Sequence, residues 1–309
     1  MSAFDRPLRG AILAAADSAL VRRAVTRYGM RLGARRFVAG ETAEQFMAVA
    51  REANAQGFAV ASTILGESVN DREETLEVTR RYCALLRAFA DEKLDANVAF
   101  KLTHVGLDID WALALDNASQ IVAAAAESGR TVRMDMEQSR YVDRTLEIFR
   151  RLRQRYDNVG FVLQSYLYRS VDDLVAVLPL APNLRIVKGA YLEPPELAYP
   201  HKRDVDANYV RLLETALSHD GYTAVATHDP ELIARTAEFT AARGLPKQGR
   251  FEFQMLYGIA TGLARMLLER GYRVRLSIPF GEYWFPYLMR RLAERPANLA
   301  FFLKGAFSK

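Results

Sequence analysis

From about residue 57 onward the sequence alternates short, β-branched, nearly all-apolar runs with longer stretches of helical period, and it does so eight times. The runs are Phe58–Leu65, Asn97–Thr103, Thr131–Met136, Val159–Ser165, Leu184–Gly189, Thr223–Thr227, Phe251–Met255 and Arg273–Ile278. Helical spacing recurs between them, as over Asp71–Ala90, Tyr141–Tyr156, Val205–Leu217 and Pro230–Arg243. Continuous apolar runs, as opposed to strict alternation, mark strands covered on both faces, the condition of a parallel sheet sheathed in helices. Eight strands, each followed by a helix, is the number that closes a (β/α)8 TIM-type barrel, which takes roughly 250 residues. An open doubly wound sheet is the competing α/β architecture. The expected organisation is a helical arm over residues 1–56 and a barrel over residues 57–309.

The arm has apolar residues at helical spacing over Ala11–Leu20 and Val21–Leu32. It also concentrates charge: Arg6, Arg9, Arg22, Arg23, Arg27, Arg31, Arg35 and Arg36 face only Asp5 and Asp17 within the first forty residues. The formal net charge of +5 is therefore a property of this segment, and the near-neutral remainder argues against a nucleic-acid binder. Two readings fit the arm: an interfacial amphipathic anchor, or a helical segment packed on the barrel. The single cysteine, Cys83, excludes a disulfide framework, and with no CxxC or Cys/His cluster no metal site is expected. With no apolar run of roughly 18 residues and no leader-like amino terminus, a cytoplasmic protein is expected, at most peripheral on the inner face of the membrane.

Chemistry in a parallel barrel gathers where strands end and βα loops begin. Here the runs lead into Gly66-Glu67, then Lys101 with Thr103 and His104, then Asp135 and Glu137, then Gln164-Ser165. The fifth carries Arg185 and Lys188-Gly189, the sixth ends in Thr227-His228-Asp229, and the seventh holds Glu252 and Gln254. One buried polar residue is compatible with packing; the same gradient on seven strands predicts a ligand site at the mouth. The last helical segment, GEYWFPYLMRRLAER, places Tyr287, Arg290, Arg291 and Glu294 at i, i+3, i+4 and i+7, on one helical face. This stripe suits a solvated surface with an ion pair. On spacing alone that is the favoured reading, but adjacent arginines beside a tyrosine also suit two guanidinium forks gripping a carboxylate.

At these positions the sequence resembles the proline dehydrogenase family. The blocks KLTHVGL (101–107), RMDMEQS (133–139), VLQSYLYR (162–169), RIVKGAYLE (185–193), ATHDP (226–230), FEFQMLYG (251–258) and YLMRRLAER (287–295) follow that family's order. The resemblance runs from about residue 58 to the end and favours the monofunctional enzymes over fusions with an aldehyde dehydrogenase. It implies a barrel holding non-covalent FAD, with the final helix over the mouth, and oxidation of L-proline to 1-pyrroline-5-carboxylate. Lys101, Arg290 and Arg291 are then expected around the substrate carboxylate, with Tyr287 and Ala190 lining the ring pocket and Glu294 on the same helical face. Asp135 belongs to the catalytic layer and Arg185 lies near the flavin N5. Gln164 matches the position at the flavin pyrimidine edge; Val187, Lys188 and Gly189 follow the ribityl chain; Thr227 and His228 reach the adenosine half. Met136 and Lys202 are further cofactor positions. Glu67 matches an acidic residue expected to pair with Arg291 as a gate. The family's electron acceptor is a membrane quinone, which implies peripheral membrane contact, and a downstream aldehyde dehydrogenase is a possible partner.

The chemistry of the residues agrees: a flavin accepts hydride, so the protein must orient the substrate and exclude water, while cations on the carboxylate fix orientation away from the reacting carbon. One departure stands out. Many relatives carry tyrosine two residues before the proline of the Pro-Phe-Gly turn, where this chain has Ser277. Serine leaves room at the substrate ring and predicts tolerance of, or preference for, a hydroxylated proline. Two rivals remain open from residues alone: a Schiff-base aldolase barrel using Lys188, and a non-catalytic membrane- or partner-binding module built on the basic arm.

Overall fold

The computed structural model describes residues 33–294, the last two as backbone only, together with Ser18, Arg23, Val25, Thr26, Gly29 and Met30. The strands are β1 (Ala59–Ile64), β2 (Ala96–Phe100), β3 (Val132–Met134), β4 (Val159–Gln164), β5 (Asn183–Val187), β6 (Tyr222–Ala226), β7 (Phe251–Leu256) and β8 (Val274–Phe280). All pair in parallel and in chain order, and β8 closes on β1 with Ala59 opposite Arg275 and Ile64 opposite Phe280. The closed (β/α)8 barrel is thus present, and the open sheet is excluded.

Helix α1 (Ala43–Ala55) precedes the barrel. Between strands lie α2 (Arg72–Asp91), α3 (Trp111–Glu127), α4 (Val142–Arg153), α5 (Ser170–Val175), α6 (Lys202–Leu217), α7 (Pro230–Ala242) and α8 (Thr261–Glu269), and α9 (Trp284–Glu294) follows β8. Side-chain caps set several starts: Asp71 accepts from the Glu74 N–H at 2.8 Å, and Asp110 from that of Leu113 at 2.9 Å. Asp229 caps α7 ahead of Pro230, whose missing N–H costs nothing at a first helical position. The helical period begins at Asp71 because a cap residue sits just outside the helix it starts.

Phe46 of α1 lies 4.8 Å from Phe280 of β8 and 5.9 Å from Phe89 of α2, ring centre to ring centre. With Met47, Ala50 and Ala53 it is buried in the same apolar core as the strands. This helix fills the wall beside β8 and β1, where the helix after β8 would otherwise pack. Helix α9 builds a second apolar cluster instead, setting Trp284, Phe285, Leu288, Met289 and Leu292 against Ala34, Phe37, Val38, Leu65 and Ile259. Leu65 directly follows β1 and Ile259 follows β7, so α9 sits at the carboxyl end of the barrel. Trp284 Nε1 also donates to Glu41 at 2.7 Å, which ties this helix to the segment before α1. Most of residues 1–32, including the arginine-rich stretches, lie outside the described residues. Among the described residues no helix is long and apolar enough to cross a membrane.

The sequence reading groups Glu252 and Gln254 with the mouth residues, and the structure corrects this. Glu252 is the second residue of β7, near the floor, and is 1% exposed. It accepts from Arg275 Nε at 2.8 Å, Tyr222 Oη at 3.0 Å, Gln254 Nε2 at 2.6 Å and Arg273 Nε at 3.3 Å. Arg133 is fully buried in the barrel and donates to Asn183 Oδ1 at 2.5 Å. Burial works to raise the Glu252 carboxyl, but the Arg275 and Arg133 guanidiniums outweigh it and hold the group down to about 2. Strand periodicity marks these residues as polar and inward but does not say at which height they sit.

Candidate functional site

Alternation along each strand fixes which side chains share the interior. Arg133 points inward, so Asp135 two residues on does too, just beyond β3; there it forms an ion pair with Arg185 of β5. Arg275 reaches Glu252 and the Val60 carbonyl, so Ser277 shares its inward face nearer the mouth, half-buried and in register with Ala61 of β1 and Leu256 of β7.

Above this layer, Lys101 follows β2 and forms an ion pair with Glu67 in the loop after β1. Arg290 reaches down from α9 to the same carboxylate, its Nη1 3.7 Å from Glu67 Oε1. The structure therefore brings together Glu67, Lys101 and Arg290, and pairs Glu67 with Arg290 where the sequence reading pairs it with Arg291. Burial raises the Glu67 carboxyl, yet Lys101 and Arg290 leave it below its ordinary value. The loop fits here because residue 66 is glycine: a Cβ would stand 2.4 Å from His104 Nε2. His104 is 3% exposed, and burial, with Lys101 and Arg81 nearby, holds it down to about 4, so it is neutral near pH 7. Ser68 adopts φ 53°, a left-handed conformation costing a non-glycine residue roughly 1–2 kcal/mol. A cavity of about 360 Å³ opens beside this group, walled by Ile64, Glu67, Lys101, His104, Tyr283 and Arg290.

On the far side of the mouth, Gln164 ends β4 at 2% exposure, donating through Nε2 to the Glu137 carbonyl at 2.8 Å. Its Oε1 is buried and accepts nothing among the described residues, and the buried Nε–H of Arg185 finds no acceptor among them. Such orphaned groups at a barrel mouth fit a ligand carrying both donors and acceptors on a flat ring edge. Val187 closes β5, half-buried; Gly189 takes φ 118°, and a Cβ there would lie 2.2 Å from the Tyr166 ring. Lys188 is held by Asp206 at 2.5 Å and Asp229 at 2.9 Å, and Lys202 reaches the same two carboxylates. The aldolase reading needs an amine free to meet a carbonyl at the mouth, whereas Lys188 is engaged by two carboxylates. Thr227 Oγ1 accepts from the Asp229 N–H at 3.1 Å, and His228 Nε2 from the Leu256 N–H at 2.9 Å, so both brace the β6 and β7 loops. Met136 is buried and Ala190 is exposed.

On α9 the Arg291 guanidinium lies 5.1 Å from the centre of the Tyr287 ring. The side chain of Glu294 lies outside the described residues. Sequence reasoning leaves two residues at the mouth without a role. The Tyr191 hydroxyl is pushed above its ordinary value by burial and then by the charges of Glu137, Glu67 and Asp135; its signal was adjacency to Ala190 in RIVKGAYLE. Glu137 is 3% exposed and takes both donors of Thr103, and burial lifts it to about 7. Its signal was the i, i+2 spacing from Asp135.

The family model described as proline dehydrogenase matches residues 46–304. Proline dehydrogenase 1 of Bacillus subtilis subsp. natto is 42% identical over 282 residues, covering 91% of this chain and 93% of the relative. The proline dehydrogenase of Deinococcus radiodurans is 42% identical over 307 residues, 98% of each. The solved structure of proline utilization A (PutA) from Bdellovibrio bacteriovorus, inactivated by N-propargylglycine, matches with a TM-score of 0.82 at 27% identity, over 89% of this chain and 34% of that chain. The match covers the barrel, the displaced last helix and the polar mouth between them, and on that ground the chain belongs to the proline dehydrogenase family and is an enzyme of that kind.

Proposed function

We propose that this enzyme oxidises L-proline to 1-pyrroline-5-carboxylate with a non-covalently bound FAD and passes the electrons to a membrane quinone. The observation that carries the reading is the convergence of Lys101 and Arg290 on one carboxylate position at the mouth, beside the orphaned Gln164 and Arg185 groups. In the proposed complex the substrate carboxylate takes the place of Glu67 between the two cations. Glu67 then passes to Arg291 as α9 closes, with Tyr287 and Ala190 against the ring. Gln164 Oε1 would accept from the flavin pyrimidine edge, and Arg185, oriented by Asp135, would lie beside the ring. Met136, Val187, Lys188, Gly189, Lys202, Thr227 and His228 would hold the rest of the dinucleotide. When bound, the flavin supplies the acceptor for the hydride from the ring carbon next to nitrogen. The residues orient that carbon, exclude water through α9, and leave the amine proton to solvent. The imine product opens with water to an aldehyde, which suits an aldehyde dehydrogenase as the next enzyme. Membrane contact through the basic arm would bring the quinone within reach. The test is optical: the purified protein carries a flavin absorbance that L-proline bleaches without oxygen. A colourless protein, or a flavin unaffected by proline, ends the reading.

A hydroxylated proline is the second reading, favoured by Ser277 on the inward face of β8. One bulky group against a substrate ring discriminates by roughly 10- to 200-fold. Ser277→Tyr is expected to lower kcat/KM for 4-hydroxyproline about tenfold relative to that for proline. Equal ratios in wild type and variant remove Ser277 from substrate choice.

A further inference from the structure

One directed chain of hydrogen bonds ties three loops at the mouth. The Ser68 N–H donates to Thr103 Oγ1 at 3.1 Å, and the Thr103 hydroxyl donates to Glu137 Oε2 at 2.6 Å. Glu137 Oε1 accepts the Thr103 N–H at 3.1 Å, and the Thr103 carbonyl accepts the Val69 N–H at 3.2 Å. The Ser68 N–H can only donate, so Thr103 Oγ1 accepts there and the single hydroxyl proton is left for Glu137 Oε2, which sets the direction of the chain. Ser68 needs this support, because its left-handed backbone is one that a non-glycine residue keeps only where its surroundings over-determine it. The residue before it is Glu67, on Lys101 and Arg290. The Glu137 carbonyl meanwhile accepts from Gln164, so the same residue joins the gate loop to the inner wall. A position that served packing alone would not bury a carboxyl, since burial of an ionisable group is unfavourable in itself.

We propose that Glu137 is a positioning residue for substrate binding: acting through Thr103, it fixes the Ser68 turn and so sets where the Glu67 carboxylate stands against Lys101 and Arg290. This rests on the reading that Lys101 and Arg290 receive the substrate carboxylate. Neither Glu137 nor Thr103 is asked to touch the reacting atoms.

A mutant cycle on the flavin-loaded full chain tests it. Thr103→Val keeps the backbone bond to Glu137 and removes the hydroxyl that links Glu137 to Ser68. It is expected to raise KM for proline about tenfold, the loss of one bond's worth of positioning, with kcat within about twofold and flavin content unchanged. Thr103→Ser restores the wild-type KM. Glu67→Gln raises KM by itself, because the displaced carboxylate that would pair with Arg291 and hold α9 over the substrate is lost, and in that background Thr103→Val adds less than about twofold, because the carboxylate it positions is gone. Should Thr103→Val fail to fold, Glu137→Gln carries the same cycle. Additive effects in the cycle, or a Thr103→Val enzyme with wild-type KM, overturn the proposal. A Lys101→Met control separates the two possible failures: raised KM with an additive cycle sinks the Glu137 role alone, whereas unchanged KM removes the carboxylate seat and the proposal with it.

Discussion

Lys101→Met is expected to raise KM for L-proline roughly 10- to 30-fold while changing kcat less than about threefold. The ammonium lies in a mostly enclosed position, its side chain 17% exposed, where a charge-assisted bond contributes roughly 1.5–3 kcal/mol, equivalent to about 10- to 150-fold in affinity. The lower part of that range applies because, in the proposed complex, the binding step is an exchange. Before substrate arrives Lys101 already holds the Glu67 carboxylate, so substrate gains only the difference between the two partners. In the variant Glu67 keeps Arg290 alone at 3.7 Å, which makes that guanidinium harder to recruit and adds to the KM effect. The carboxylate lies across the ring from the carbon that is oxidised, so the lost interaction is shared by ground and transition states, and KM moves more than kcat. L-Prolinamide, which lacks the negative charge, discriminates between charge loss and collapse of the pocket. Wild type should prefer proline to the amide strongly and Lys101→Met much less so. An unchanged KM, or an undiminished preference for proline, shows that the cationic group at the mouth does not receive the substrate.

The barrel was legible because its determinants are local. Each strand is a run covered on both faces, and several helices begin at a cap such as Asp71, Asp110 or Asp229 that can be read without partners. The inward polar residues were legible as inward because alternation is also local. Their height was not, since Glu252 and Gln164 look alike in sequence, yet one closes the floor with Arg275 and the other ends β4 beside Glu137. Pairing across the mouth was legible only as a set. Glu67 with Arg290 in place of Arg291 is a choice between neighbours a third of a helical turn apart, and it depends on how α9 rests on Ala34, Phe37 and Leu65. That bed exists because α1 occupies the wall position after β8, a long-range packing fact with no local signature. The Thr103 bridge was hidden for the same reason: a threonine followed by histidine after a strand gives no hint that a carboxyl 34 residues onward will take both of its donors.

Glu252→Gln is expected to destabilise the fold by about 3–5 kcal/mol, the usual effect of removing one member of a buried charge pair and leaving the other uncompensated. Glutamine retains an acceptor for Arg275 or Tyr222 but leaves Arg275, 7% exposed, and the fully buried Arg133 without the charge that faces them. With an unfolding entropy of about 2.1 cal/mol/K per residue, that loss corresponds to about 5–8 °C in Tm for a chain of 309 residues. The dependence on acidity follows in sign. The folded carboxyl lies at about 2, below its ordinary value of 4.5, so its stabilising contribution is complete above the ordinary value and is lost as pH falls from there through about 2. The gap in stability between wild type and Glu252→Gln should therefore be widest at neutral pH and shrink across that acid window. Glu252→Leu combined with Arg275→Met and Arg133→Met, which removes all three buried charges, should recover much of the lost stability, because apolar side chains of similar volume have no charge desolvation to offset. Melting curves of wild type and the two variants from neutral to acid pH decide it. A Glu252→Gln protein as stable as wild type at neutral pH, or a gap that widens on acidification, would show that the floor of the barrel is held by apolar packing alone.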